Sequence, residues 1–337
     1  MIADGIDPID ERRARKSVQT FGDFAEAHIK VQEKGWKGDK TAAGWRNTIF
    51  QHAKALVPLR LSDIKTNHVL GVLRPIWHAK PETAQKLQNR LERLFDAAAA
   101  AGLTSGQNPA RWRGHLQHLL PPRVRLSRGN HPAAPYELIP EIMHLLAAKP
   151  SMGALALRFL ILTAMRESAI LNATWDQIDL SQKIWTIPGK HMKGRKSEMR
   201  EVFIVPLSQA AIDVLATAST RAGSTSFPAT GLIFPGNKPG RPMSNATLDK
   251  AFKTLGDKYV TAEGQHYTPH GCRSTFRDWA GDKTDFADSV AEMALAHKVG
   301  SSMVRAYRRL NAFEKRAELM EAWGTFATSH QAATGQS

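Results

Sequence analysis

The chain has 337 residues, 42% of them hydrophobic, and lysine and arginine outnumber aspartate and glutamate for a net charge of +15. That length exceeds one ordinary core and predicts two domains, and an excess of positive charge spread along the chain points to a polyanion such as nucleic acid. It excludes a membrane partner reached through one basic amphipathic helix, while the lone Cys272 excludes an internal disulfide framework and the polar start "MIADGIDPIDERRARK" lacks a signal peptide's apolar core.

After a leader over residues 1–19, Phe21, Phe24, Ala25 and His28 recur at helical spacing, and Trp45, Ile49, Ala53 and Leu56 do so in the next segment. A third helix is predicted over Thr66 to Trp77. A fourth begins near Pro81 and carries Leu87, Leu91, Leu94, Phe95 and Ala98 on one stripe before Gly102. Residues 20–105 thus read as a four-helix domain. From Ala97 to Tyr136 no acidic residue occurs, while Arg111, Arg113, Arg123, Arg125 and Arg128 do, and prolines interrupt the second half. Residues 106–134 are therefore expected to form a basic linker suited to tracking phosphates.

The second domain, 135–326, opens with helices over Tyr136 to Ala148 and Met152 to Ala164. The run "GALALRFLILTAM" is interrupted by Arg158 and too short to span a bilayer, so it reads as a buried helix. "ATWDQIDL", "KIWTIP" and "REVFIVPL" then alternate β-branched and aromatic residues between turn signals, as a small antiparallel sheet does. Helices resume after Ser208 and continue past "GLIFPGNKPGRP", and residues 327–337 are expected to be a disordered tail. The fold class is mainly α with one small sheet.

Two apparent motifs are set aside. "GKHMKGRKS" approaches a phosphate-cradling P-loop, but Arg195 stands where lysine must follow glycine and a strand follows where a helix is needed. His266, His270 and Cys272 invite a zinc reading, yet Pro269 breaks a regular helix and no second ligand pair follows.

Near the C-terminus, "HKVGSSMVRAYRR" sets Tyr307 among Arg305, Arg308 and Arg309, ten residues beyond His297. Guanidiniums favour a phenolate and hold a phosphate beside it, which suits attack on a phosphodiester. Upstream stand Arg166 in "TAMRESAI", Lys193 in "HMKGRK", and His270 with Arg273 in "HGCRSTFRDW". Each has a plainer reading alone: Arg166 could cap the apolar helix, and His297 could be a core histidine. In this order, over nearly the whole chain, they resemble the tyrosine recombinases, specifically the integrases of phages and genomic islands.

The resemblance implies a core-binding domain followed by a catalytic domain, closing as a C-shaped clamp on duplex DNA at an attachment core site. It implies that Arg166 and Arg273 hold the scissile phosphate, with His270 and His297 bonded to its oxygens. Tyr307 would attack to form a 3′-phosphotyrosyl intermediate, and Lys193 would protonate the leaving 5′ oxygen, with Lys190 and Lys196 as alternatives. No nucleotide is expected, because the ester conserves the energy of the broken bond, and no metal or other cofactor, because the arginines neutralise the charge that magnesium handles elsewhere. A tetramer on DNA, accessory DNA-bending proteins and a cytoplasmic, nucleoid-associated location follow from the same likeness. The helix with Phe313, Ala317, Met320 and Trp323 could dock on its own domain or a neighbouring protomer. The leader resembles the join to an N-terminal arm-binding domain, so the chain is expected to use the core site alone. One departure stands out: Ala169 occupies the place, three after the first arginine, where the family has an acidic brace. The other readings are a type IB topoisomerase-like relaxing enzyme and a DNA-binding remnant that no longer cuts.

Overall fold

The structure, a computed structural model, describes residues 19–36, 39–104, 106–122, 131–192, 202–238, 240–297 and 311–330. Backbone contacts divide the chain into two units, residues 1–127 and 128–337.

In the first unit, α1 (Phe21–Glu33) starts at Thr20, whose hydroxyl accepts the Asp23 N–H at 3.1 Å and satisfies one orphan donor of the first turn. The segment from Trp45 to Leu56 buries the expected apolar residues, but not on one regular helix. α2 (Asp39–Asn47) widens into a π turn at Thr48–His52 and ends in a 3-10 turn at Lys54–Leu56. The cause lies at Gly44, whose carbonyl accepts from the Thr48 hydroxyl at 2.9 Å and from Arg90 at 2.6 Å. Side chains thus occupy an acceptor that a regular ladder would use.

α3 (Thr66–Trp77) and α4 (Pro81–Ala100) follow, the latter burying the whole predicted stripe. α4 stops where Gly102 takes φ +67° and the N–H groups of Leu103 and Gly102 bond back to Ala98 and Ala99 at 2.9 Å each. The first core does not end at residue 105. Ala110, Leu116 and Leu120 are buried in it, Trp112 stacks on Trp77 at 5.5 Å, and buried Gln88 donates to the Ala110 carbonyl at 2.8 Å. Much of the stretch read as linker is therefore packed, through apolar residues that follow no helical period. Arg111 and Arg113 remain exposed, and Arg123, Arg125 and Arg128 lie outside the described residues.

The second unit is organised around α6 (Met152–Thr163), capped by Ser151 and buried on almost every side, with α5 (Ile139–Ala147) before it. α7 (Glu167–Leu171) leads into a three-stranded antiparallel sheet, β1 (Ile178–Asp179), β2 (Ile184–Pro188) and β3 (Val202–Pro206), in that order. Trp185, paired with Val205, turns with it and Ile187 into the core. α8 (Gln209–Arg221), α9 (Asn245–Lys253), α10 (Gly271–Lys283), α11 (Asp288–Ala294) and α12 (Asn311–Ala327) complete the unit.

α12 docks on its own unit. Leu319, Met320 and Trp323 enter the core, the Trp323 indole donates to the Ile161 carbonyl at 2.8 Å, and its ring meets Phe276, Trp279 and Phe326. The tail reading needs correction at its start: Ala327 is fully buried and the His330 ring lies 4.4 Å from that of His144. Residues 331–337 lie outside the described residues.

Candidate active site

Arg273 projects from the first turn of α10 and is only 5% exposed. Its guanidinium donates to the Ala164 carbonyl at the end of α6 and, at 2.7 Å, to the Leu295 carbonyl at the end of α11. Two helix C-termini, each with partial negative charge, thereby hold one buried cation. Both ends turn on alanines in the left-handed region, Ala164 at φ 50° and Ala296 at φ 53°, where a Cβ costs about 1 kcal/mol. The bends set the carbonyl of one helix and the loop after the other against the arginine.

Arg166 stands two residues beyond Ala164, half-buried at the N-cap position of α7 rather than as a cap on α6. Burial lowers its pKa. Burial, then the positive charge of Arg166, pushes Arg273 down to about 9, with Glu292 pulling the other way. Both guanidiniums remain cationic at neutral pH. Their mutual repulsion is what an anion between them would relieve, and planar forks meet phosphate oxygens in pairs.

His297 is fixed by the way α11 ends. The Ala296 N–H bonds to Met293 at 3.0 Å and the His297 N–H to Glu292 at 2.9 Å, a Schellman closure that leaves His297 one turn above Glu292. The His297 Nδ1 lies 2.6 Å from the Glu292 carboxylate and Nε2 lies 3.2 Å from the Arg273 guanidinium. With Nδ1–H donating to the carboxylate, Nε2 accepts from Arg273. Glu292 also accepts from Arg277 at 2.9 Å, and Arg277 reaches Asp288 at 3.1 Å. Burial raises the Glu292 carboxyl, but the bonds and charges of His297 and Arg277 outweigh it, so its pKa is lowered. Ala169 is buried on the core side of α7, and Asn245 donates to the Glu167 carboxylate. Glu292 on α11 carries an acidic support for His297 and Arg277 instead. The sequence gives one hint, a carboxylate and a histidine separated by a helix end.

His270 occupies the N-cap position of α10, exposed, with the ring of His131 at 4.3 Å. The next residue is glycine by necessity, because a Cβ on Gly271 would lie 2.1 Å from the Pro132 carbonyl. The structure thus brings Arg166, Arg273 and His297 together and sets His270 at the head of the same helix. Lys193 and Tyr307 lie outside the described residues. The chain on either side of them is described: Pro188 pairs with Val202 at the open end of β2 and β3, and Ser168 of α7 donates to the His191 carbonyl at 3.2 Å. Arg316, nine residues after Tyr307, is buried and donates to the Ile204 carbonyl of β3 at 2.9 Å. Lys190 is exposed in the 3-10 turn Gly189–His191, just before the described part ends at Met192, and Lys196 lies outside the described residues.

Cys272 is buried, its thiol pushed up to about 12 by burial and donating to the Thr268 carbonyl at 3.7 Å. Among the described residues no group of three or more His, Cys, Asp or Glu could hold a metal ion. In the first unit, Lys86, Arg90 and Arg93 share one face of α4 and line a pocket with Asn89 and Trp45, the Arg90 guanidinium lying 5.1 Å over the indole. No described helix is long and apolar enough to cross a membrane.

These features meet in one class of fold. Residues 136–314 match the phage integrase family and residues 21–115 the phage integrase central domain. The chain belongs to the phage integrase family and is a tyrosine-type site-specific recombinase. It is 27% identical over 343 residues to prophage integrase IntZ of Escherichia coli strain K12, covering 99% of this chain and 79% of that one. To the integrase of Enterobacteria phage P4 it is 27% identical over 342 residues, covering 96% and 73%. Among solved structures, a lambda integrase dimer bound to a COC′ core site superposes with a TM-score of 0.63 at 18% identity, covering 90% of this chain and 81% of that one. A lambda integrase tetramer bound to a Holliday junction gives 0.64 at 17%, covering 88% and 83%. At such identities the likeness shows the fold.

Proposed function

We propose that the chain cleaves and rejoins duplex DNA at an attachment core site, integrating and excising a phage or genomic island through a 3′-phosphotyrosyl intermediate on Tyr307. The observation that carries this is the buried Arg273 guanidinium, held by two helix ends beside Arg166, with His297 on one edge. Two cations kept together at the cost of repulsion form a site for one anionic group, and they stabilise a phosphorane-like transition state better than the ground state.

In this reading the Tyr307 oxygen attacks phosphorus in line and the bond to the 5′ oxygen breaks. Lys193 gives that oxygen its proton, with Lys190 and Lys196 as the other candidates. His270 donates to a non-bridging oxygen, and His297, its ring fixed through Nδ1 by Glu292, does so once DNA is bound and its Nε2 carries a proton in place of the bond from Arg273. Rejoining reverses the step with a 5′-hydroxyl from the exchanged strand. The α4 face of Lys86, Arg90 and Arg93 binds the DNA backbone in the first unit. The lambda integrase dimer on its core site and tetramer on a Holliday junction support self-association on DNA for this chain as well. Accessory DNA-bending proteins and action on the nucleoid in the cytoplasm complete the reading.

A supercoiled plasmid with two directly repeated attachment core sites tests it against one with none. Deletion of the intervening segment only where sites are present is the expected result. Equal relaxation of the siteless plasmid would favour a topoisomerase, and occupancy of the sites without any cutting would favour a remnant.

A further inference from the structure

His131 lies in the segment by which the chain enters the second unit, and that segment is seated with unusual care. The Pro132 carbonyl accepts from the Thr268 N–H at 2.9 Å and from the Thr268 hydroxyl at 3.2 Å, and the Ala134 carbonyl accepts from the Thr275 hydroxyl at 2.7 Å. Gly271 leaves no room for a side chain beneath Pro132. Residues 132–134 are thus fastened across the first turn of α10, the turn that carries His270 and Arg273. The consequence is the contact one residue earlier: the imidazoles of His131 and His270 stand 4.3 Å apart at an interplanar angle of 57°.

We infer that His131 is a positioning residue for the recombination reaction, its ring packing against that of His270 and limiting the directions in which His270 can point. The inference rests on the role given above to His270. An exposed histidine at a helix start has several staggered rotamers open to it, and a ring packed on one side removes some of them. The contact spans residues far apart in sequence, next to a segment that Thr268, Gly271 and Thr275 hold in place. A hydrogen-bond donor aimed at a phosphate oxygen before DNA arrives needs no reorganisation at the moment of reaction, whereas a freely rotating one does.

Single-turnover cleavage by the full chain on a nicked duplex carrying its attachment core site tests this, with affinity for the same duplex measured in parallel. His131→Ala is expected to slow cleavage roughly tenfold to a hundredfold, the effect of a small misplacement near the reacting atoms, while binding is unchanged. His131→Phe, which keeps a ring against His270, should recover most of the rate even if the alanine variant melts early. The double variant His131→Ala/His270→Ala should be no slower than His270→Ala alone, because a residue acting through His270 has nothing left to act on. Normal cleavage by His131→Ala, a phenylalanine variant no better than alanine, or multiplicative losses in the double variant would each overturn the inference. Normal cleavage by His270→Ala would overturn it together with the role of His270, whereas a slow His270→Ala beside a normal His131→Ala removes the inference alone.

Discussion

At the scale of single residues the site depends on one buried cation and its supports. Arg273→Lys keeps the charge but loses the planar fork that reaches Ala164, Leu295 and His297 together. Cleavage by Arg273→Ala or Arg166→Ala is expected to fall by roughly 10² to 10³, with Arg273→Lys close behind, in single-turnover assays. Near-normal rates would break the phosphate clamp. Ala296 supplies a second handle, because its left-handed φ of 53° is what lifts His297 over Glu292. Ala296→Gly should retain cleavage, while Ala296→Val, whose branched Cβ resists that conformation, should lose it and lower the melting temperature. Glu292 carries a pH dependence whose sign is fixed by its lowered pKa. Its contribution to stability is present above the ordinary carboxylate pKa of the unfolded chain and is lost as pH falls through the depressed folded value. Denaturation curves of Glu292→Gln should therefore lose part of the acid-side decline seen in the wild type; identical profiles would count against the network. The arginines and histidines could be picked out of the sequence because, taken in order, they resemble the tyrosine recombinases, and their types suit a phosphate. Glu292 and His131 could not, since each matters through a contact that only a helix end or a seated segment creates.

At the scale of elements, α10 and α12 form the frame. Trp323 on α12 packs on Trp279 and Phe276 of α10, so the helix that begins four residues after Tyr307 is fixed to the one that carries Arg273. Trp323→Ala is expected to destabilise the second unit by about 3–5 kcal/mol, measured by chemical denaturation. Gly271→Ala should also lower stability, because its Cβ would collide with the Pro132 carbonyl, which Thr268 holds through two hydrogen bonds. A variant as stable as wild type would mean that residues 132–134 do not sit where described. The stripes of α1 and α4 and the alternation of the small sheet could be read directly, since burial on one face imposes a period. The π turn after α2 could not, because it arises from Arg90 and Thr48 meeting one carbonyl. Nor could the packing of Ala110, Leu116 and Leu120, whose spacing has no period.

At the scale of the whole molecule, a net charge of +15 makes DNA affinity a matter of counterion release. Binding to a core-site duplex should weaken by roughly 10³ or more between 50 and 200 mM salt, and replacing Lys86 or Arg93 by alanine should make that dependence shallower. A salt-independent affinity would contradict backbone recognition. The central claim, however, is covalent: a phenol attacks a phosphodiester within the arginine pair. The most direct measurement is to trap the product on a nicked core-site duplex, which loses its leaving fragment and cannot religate, and to identify the modified peptide by mass spectrometry. The expected result is a 3′-linked adduct on Tyr307 that forms with the wild type and is absent from Tyr307→Phe, while that variant still binds the duplex. An adduct that persists in Tyr307→Phe, or one mapped to another residue, would contradict it.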